Sequence, residues 1–220
     1  MTYQHQWQDG APVDLPVGKV VCVGRNYAAH ARELGNVVPE APILFLKPAT
    51  ALVPLVPDFA IPSGRGSCHH ETEISLLIGS TLTGQVSEAE ARAAIAGVTL
   101  GLDLTLRDVQ NQLKQQGHPW EVAKAFDGAA PMGAFSRLPA ATDLADLSFT
   151  LTVNGDVRQQ GHSVDMITGV VALLQFIATI FTLQPGDVVM TGTPEGVAAL
   201  NAGDVLVLTS GGQRWATRVR

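Results

Sequence analysis

The chain has 220 residues, 46% of them hydrophobic, with 14 lysines and arginines against 20 aspartates and glutamates for a formal net charge of −6. That length buries a sizeable core, and without a cluster of lysine and arginine there is no electrostatic footprint for nucleic acid, which is excluded as a partner. Two cysteines, Cys22 and Cys68, make no disulfide framework, and the first twelve residues lack a basic stretch leading into an apolar one, so a reducing, cytoplasmic setting is expected.

In chain order, residues 1–16 read as a short N-terminal extension and 17–24 (VGKVVCVG) as the first strand. Asn26 can cap a helix over 27–34, which Gly35 closes. On that helix His30 and Glu33 lie three apart and share a face, so the carboxylate can orient the imidazole and raise its basicity. Such a dyad deprotonates water or a carbon acid; a polar pair on a solvent-facing helix is the plainer alternative. Pro39 and Pro42 follow, leaving room for a mobile lid. The strand 43–47 (ILFLK) ends in Lys47, whose ammonium could hold a substrate carboxylate.

The run HHETEISLLIG predicts a strand over 71–79 with Glu71, Glu73, Ser75 and Leu77 on one face. Residues 98–106 predict a second strand, on which Asp103, Thr105 and Arg107 alternate with Leu102, Leu104 and Leu106. Acids are depleted in strands and like charges repel, so these carboxylates need a partner. A bound divalent cation is one answer, and three carboxylates without histidine or cysteine suit Mg²⁺ or Mn²⁺. Solvation, or pairing with lysine and arginine on an exposed sheet face, is the other. Cys68, His69 and His70 do not complete a tetrahedral zinc set, because neighbours on a strand alternate faces; His70 is expected near the carboxylates behind them.

Between these strands, Ser87 and Glu90 form a capping-box signature for a helix over 87–96, and 108–116 predicts another helix, carrying Gln110. Lys124, in HPWEVAKAFDG, is a second candidate for a substrate carboxylate. Strands are predicted at 148–153, 187–191 and 204–209, with hairpin turns at Asn154-Gly155 and Gly211-Gly212. The uncharged segment 166–183 follows helical spacing interrupted by threonines and glutamine; it predicts a packed helix capped by Ser163, and no membrane span. Thr191, Gly192 and Thr193 end a strand in a turn whose N–H groups and hydroxyls could meet an anion. Strand blocks broken by few helices predict a β-rich α+β fold.

Taken together, VCVGRNYAAHARELG, FLKP, IPSGRGSCHHETEISLLIG, GLDLTLRDVQ, PWEVAKAFDGAAPMG, VNGDVRQQG and LQPGDVVMTGTPEGV resemble the fumarylacetoacetate hydrolase family, in its short acylpyruvate hydrolase and oxaloacetate decarboxylase branch. The resemblance spans residues 17–220 and implies one catalytic domain, a mixed β-sandwich roll, a homodimer, and Mg²⁺ or Mn²⁺ on Glu71, Glu73 and Asp103. It further implies that His30 and Glu33 are the lid dyad, that Arg107, Gln110 and Lys124 bind substrate with Thr191–Thr193, and that Lys124 also takes part in catalysis. The expected activity is hydrolytic C–C cleavage of a small acylpyruvate-type keto acid. Oxaloacetate decarboxylation, keto–enol tautomerisation and 2-hydroxydienoate isomerisation are the alternatives on the same scaffold, and a non-enzymatic protein with a structural cation is the outlying one.

Overall fold

A computed structural model describes residues 3–139 and 141–220. The fold is α+β and sheet-rich. The largest sheet is mixed: its main path runs 43–47, 20–24, 188–190, 72–78, 95–102, 130–132 and 52–54, with Ser136–Arg137 also pairing the long 95–102 strand. A five-stranded sheet runs 156–162, 148–153, 205–210, 213–219 and 58–59, and a three-stranded one 198–199, 68–70 and 105–106. One apolar core joins the two larger sheets: Leu76 and Val189 belong to the same buried cluster as Phe149, Leu151 and Leu208. Both predicted hairpins form, with Val153 opposite Asp156 and Ser210 opposite Gln213. Residues 3–13 lie against this body, with Val13 buried and the His5 ring bonded to the Gly186 carbonyl at 3.0 Å.

The strand Thr72–Ile78 is buried on both faces, not one. Ile74, Leu76 and Ile78 fill the core, Glu73 lines a polar cleft, and the buried Ser75 hydroxyl donates to the Glu73 carbonyl. The second predicted strand does not run through. It ends at Leu102; the Asp103 N–H donates to the Glu71 carbonyl and the Leu104 N–H to Ala129, so the chain leaves the large sheet there. Only Thr105–Leu106 returns to extended pairing, opposite Cys68 and His69. Arg107 is therefore the first residue of a helix rather than a strand neighbour of Asp103.

The described residues also form five short α-helices: α1 (Ala28–Glu33), α2 (Glu88–Ala93), α3 (Arg107–Gln116), α4 (Glu121–Lys124) and α5 (Val170–Ile180). Helix α1 ends as predicted, Gly35 taking φ 65° while the Gly35 and Asn36 N–H groups return to Arg32 and Ala31. Asn26 does not cap it. The cap position is Tyr27, and the Asn26 amide ties two loops instead, accepting from the Thr168 N–H and donating to the Thr191 carbonyl at 2.8 Å. Helix α2 carries the predicted capping box between Ser87 and Glu90. Helix α5 is shorter than 166–183 and begins after Gly169; the Ser163 hydroxyl accepts the Leu147 N–H and caps nothing. Its apolar face, including Leu173, Leu174 and Ile177, is buried within the chain. Among the described residues no helix is long and apolar enough to cross a membrane.

Candidate active site

Glu71 and Asp103 face each other where the two central strands leave the large sheet, and Glu73 lies one step back along the strand. All three are buried, and one ligand oxygen from each lies within 4.8 Å of the others. Three cations answer them. The Arg107 guanidinium, at the start of α3, pairs with Glu71 and donates to the Gln110 side-chain oxygen at 2.7 Å. Lys124, ending α4, reaches Glu71 at 2.7 Å and Asp103 at 2.6 Å. Burial disfavours the Lys124 charge, but Asp103 and Glu71 outweigh it and raise its pKa, favouring the protonated amine. In Glu71 burial is likewise outweighed, here by Lys124 and Arg107, so its carboxyl stays ionised.

Lys47 is not where a substrate-binding lysine would be. It is fully buried behind the acids, its ammonium on the carbonyls of Lys124 and Ala129 and 2.8 Å from Asp103 Oδ1. It positions Asp103 and α4 instead of meeting a ligand. Asp103 Oδ1 touches that ammonium without hydrogen-bond geometry and has no donor of its own.

Glu73 has no cationic partner. The Gly192 N–H donates to it at 2.6 Å, while burial first, then Asp103 and Glu71, push its carboxyl well above the ordinary range. A crowded carboxylate, an orphaned Asp103 oxygen and an all-oxygen donor set fit a hard divalent cation held by Glu71, Glu73 and Asp103.

The turn 191–193 divides its labour differently from expectation. The Thr191 hydroxyl donates to the Ile74 carbonyl, and Gly192 spends its N–H on Glu73, an anion of the chain itself. Thr193 lines the cavity, donating to the Thr72 carbonyl and accepting from the Gln159 amide. Gly192 has φ 97°, and a Cβ there would stand 2.7 Å from Asn26 Cβ. Gly192→Ala is therefore expected to lower stability by roughly 1–3 kcal/mol and displace the donor to Glu73, read as a reduced thermal midpoint.

Gln159 carried no functional signal in the sequence, being one polar residue in the run VRQQG. It is buried, its oxygen accepting the Thr72 N–H at 3.0 Å and facing His70 Nδ1 at 3.1 Å, its nitrogen donating to Thr193 and Pro194. His70 thus reaches the site through Gln159. Burial lowers His70 to about 4, so it is a neutral member of the network. No sequence signal could have found Gln159, because its inward turn depends on a bulge opposite Leu151 and Thr152 that leaves Val157 and Arg158 exposed in succession before it.

His30 on α1 closes the other side of the cleft. It is buried, its Nδ1 is 3.4 Å from Glu33, and the other Glu33 oxygen accepts the Gly196 N–H at 3.0 Å. Burial, with Arg107 adding to it, lowers the His30 pKa despite Glu71 and Glu33. The imidazole is neutral at neutral pH with Nε2 free. His30, Arg107, Gln110, Lys124 and Thr193 line one small cavity together with the three acids.

The family profile described as fumarylacetoacetate (FAA) hydrolase C-terminal matches residues 19–219. The chain is 52% identical to oxaloacetate tautomerase YcgM of Escherichia coli (strain K12), over 222 aligned residues that cover all of both chains. It is 40% identical to the mitochondrial oxaloacetate tautomerase FAHD1 of Homo sapiens, over 84% of this chain and 83% of that one. Among solved structures, fumarylpyruvate hydrolase from Pseudomonas aeruginosa, in complex with Mn²⁺ and pyruvate, superposes with a TM-score of 0.91 at 36% identity, covering 99% of this chain and 95% of that one. A carboxylate cluster, a neutral histidine opposite it and likeness along nearly the whole length lead to one conclusion: the chain belongs to the fumarylacetoacetate hydrolase family.

Proposed function

We propose that this protein is a tautomerase interconverting the enol and keto forms of oxaloacetate. The observation that carries the reading is the 52% identity, end to end, with an oxaloacetate tautomerase. The site chemistry agrees with it. Tautomerisation needs one base that can give back the proton it takes, and His30 is a neutral imidazole among groups of fixed charge.

In the keto-to-enol direction His30 Nε2 takes a proton from C3. The electron pair of that C–H bond becomes the C2–C3 double bond, negative charge passes to the C2 oxygen, and the His30 imidazolium gives its proton to that oxygen, which restores the neutral ring. Glu33 holds the ring through Nδ1, steadying the imidazolium that forms. Arg107, with Gln110 braced against it, fixes the C1 carboxylate, and Lys124 stands close enough to offset the enolate charge. Mg²⁺ or Mn²⁺ on Glu71, Glu73 and Asp103, when bound, supplies Lewis acidity at the C2 oxygen.

The second reading is hydrolytic cleavage of an acylpyruvate, favoured by the likeness to fumarylpyruvate hydrolase. There His30 would draw the proton from an attacking water. Carbon count separates the two. With Mg²⁺ present, the protein is expected to speed the decay of enol-oxaloacetate absorbance while the four-carbon acid is recovered intact. Release of pyruvate and a free acid from acetylpyruvate or fumarylpyruvate, with no effect on enol decay, would overturn it. A homodimer and a reducing compartment belong to the same proposal; light scattering on the eluted protein tests the first.

A further inference from the structure

Four basic side chains border the cavity: Arg25, Arg107, Lys114 and Lys124. Arg107 and Lys124 are matched to Glu71 and Asp103. Arg25 and Lys114 are matched to nothing. Neither joins an ion pair or a side-chain hydrogen bond among the described residues, although both are partly buried. Glu71 and Asp103 are already engaged by Arg107, Lys124 and Lys47, so the further positive charge of Arg25 and Lys114 in a partly dry cleft is unfavourable unless a ligand brings them an anion.

The backbone puts these two side chains there deliberately. Arg107, Gln110 and Lys114 are spaced i, i+3 and i+7 on α3, so they share one face, with Lys114 about 10 Å along the axis from Arg107 on the side away from the acids. Its ammonium lies over the Trp120 ring, 5.2 Å from the centroid, a cation–π contact that holds the charge in place without neutralising it. Arg25 leaves the strand Val20–Gly24 with φ 59°, a left-handed conformation that non-glycine residues seldom adopt and that concentrates at ligand sites. Burial, then the Arg107 and Arg25 charges, lower Lys114 to about 8, as expected of an ammonium crowded by cations.

We infer that Arg25 and Lys114 form a second anion subsite, across the cavity from the acids, which takes the far carboxylate of a 2-oxo dicarboxylate and selects it over the corresponding monocarboxylate. The inference rests on the oxo-acid reading above and deepens it, since nothing in the base or the metal ligands requires a second carboxylate on the substrate.

Malate and lactate test it, because they share the 2-hydroxy acid end and differ by one carboxylate on C3. Binding of each to the Mg²⁺-loaded protein is measured by titration calorimetry. The wild-type protein is expected to bind malate at least about tenfold more tightly than lactate, the scale of a hydrogen bond to a charged group. Lys114→Met, which keeps an unbranched stem without the charge, should remove most of that preference with lactate affinity unchanged, and unchanged lactate binding also reports an intact fold. Lys114→Arg should retain the preference, Arg25→Gln should reduce it, and the exposed Arg32→Gln should leave it alone. Equal binding of the two acids by the wild type, or a malate preference that survives both Lys114→Met and Arg25→Gln, would overturn the subsite. Oxaloacetate turnover is followed separately. A Lys114-dependent malate preference without turnover keeps the subsite and removes the tautomerase; turnover with charge-independent binding does the reverse.

Discussion

Replacing His30 by glutamine is expected to cut enol–keto interconversion by about 10²- to 10⁴-fold, the range for loss of a positioned general base. Glutamine preserves most of the volume, and His30 contributes no oxygen to the acid cluster, so Mg²⁺ affinity should be unchanged. In the wild type, the rate should fall on acidification as the imidazole gains a proton. The midpoint should lie below the ordinary value of 6.5, because burial favours the neutral ring. Glu33→Gln should move that midpoint further down, since it removes the one carboxylate bonded to the ring, and should cost less rate than His30→Gln. Near wild-type rates for His30→Gln at every pH would refute the base assignment.

The second large effect concerns Glu73. Glu73→Gln keeps an oxygen to accept the Gly192 N–H but removes a charge that burial, Asp103 and Glu71 all oppose. The metal-free variant is therefore expected to be as stable as the wild type or more so, while Mg²⁺ or Mn²⁺ affinity falls by at least 10- to 100-fold, a loss that even a partner of a metal ligand can cause. The sign of the pH effect follows from the raised pKa. A carboxyl that binds its proton more tightly in the fold stabilises fully below its unfolded value, and that stability is lost as pH rises toward the folded one. Metal-free wild type should thus lose stability toward neutral pH, and Glu73→Gln should flatten the trend. Thermal melts in EDTA across pH, with calorimetric metal titrations, measure both. A clear drop in metal-free stability for Glu73→Gln would contradict this account and favour a structural ion-pair role.

The acids were legible because period-two alternation put carboxylates on a strand otherwise made of core residues, and only a partner could explain them. The hairpins were legible because Asn-Gly and Gly-Gly supply the positive φ that tight turns demand. What failed had a common physical cause: backbone hydrogen bonds that the side-chain pattern does not announce. The leucine alternation through 102–106 hid the break at Asp103, where N–H groups turn to Glu71 and Ala129. Asn26 has the chemistry of a cap, yet its amide finds better partners in loops far along the chain. Lys47 reads in sequence as a holder of a substrate carboxylate, and nothing there singles out Lys114; only the fold shows the first sealed in and the second lining a cavity. Gln159 depended on a register shift that the sequence does not mark.

That shift also bears on when the site comes into being during folding. Without the extra residue at the bulge the strand would present its alternate set of side chains, and the amide that latches Thr72 to Thr193 would point outward. The latch joins His70, Gln159 and Thr193, contributions from three distant stretches of chain, so it closes only after the hairpin at 148–162 has docked on the large sheet. Contacts of such separation are made late and lost early. A chain in which that hairpin has not docked therefore lacks the Gln159 bridge between Thr72 and Thr193, so this wall of the site exists only in the fully assembled fold.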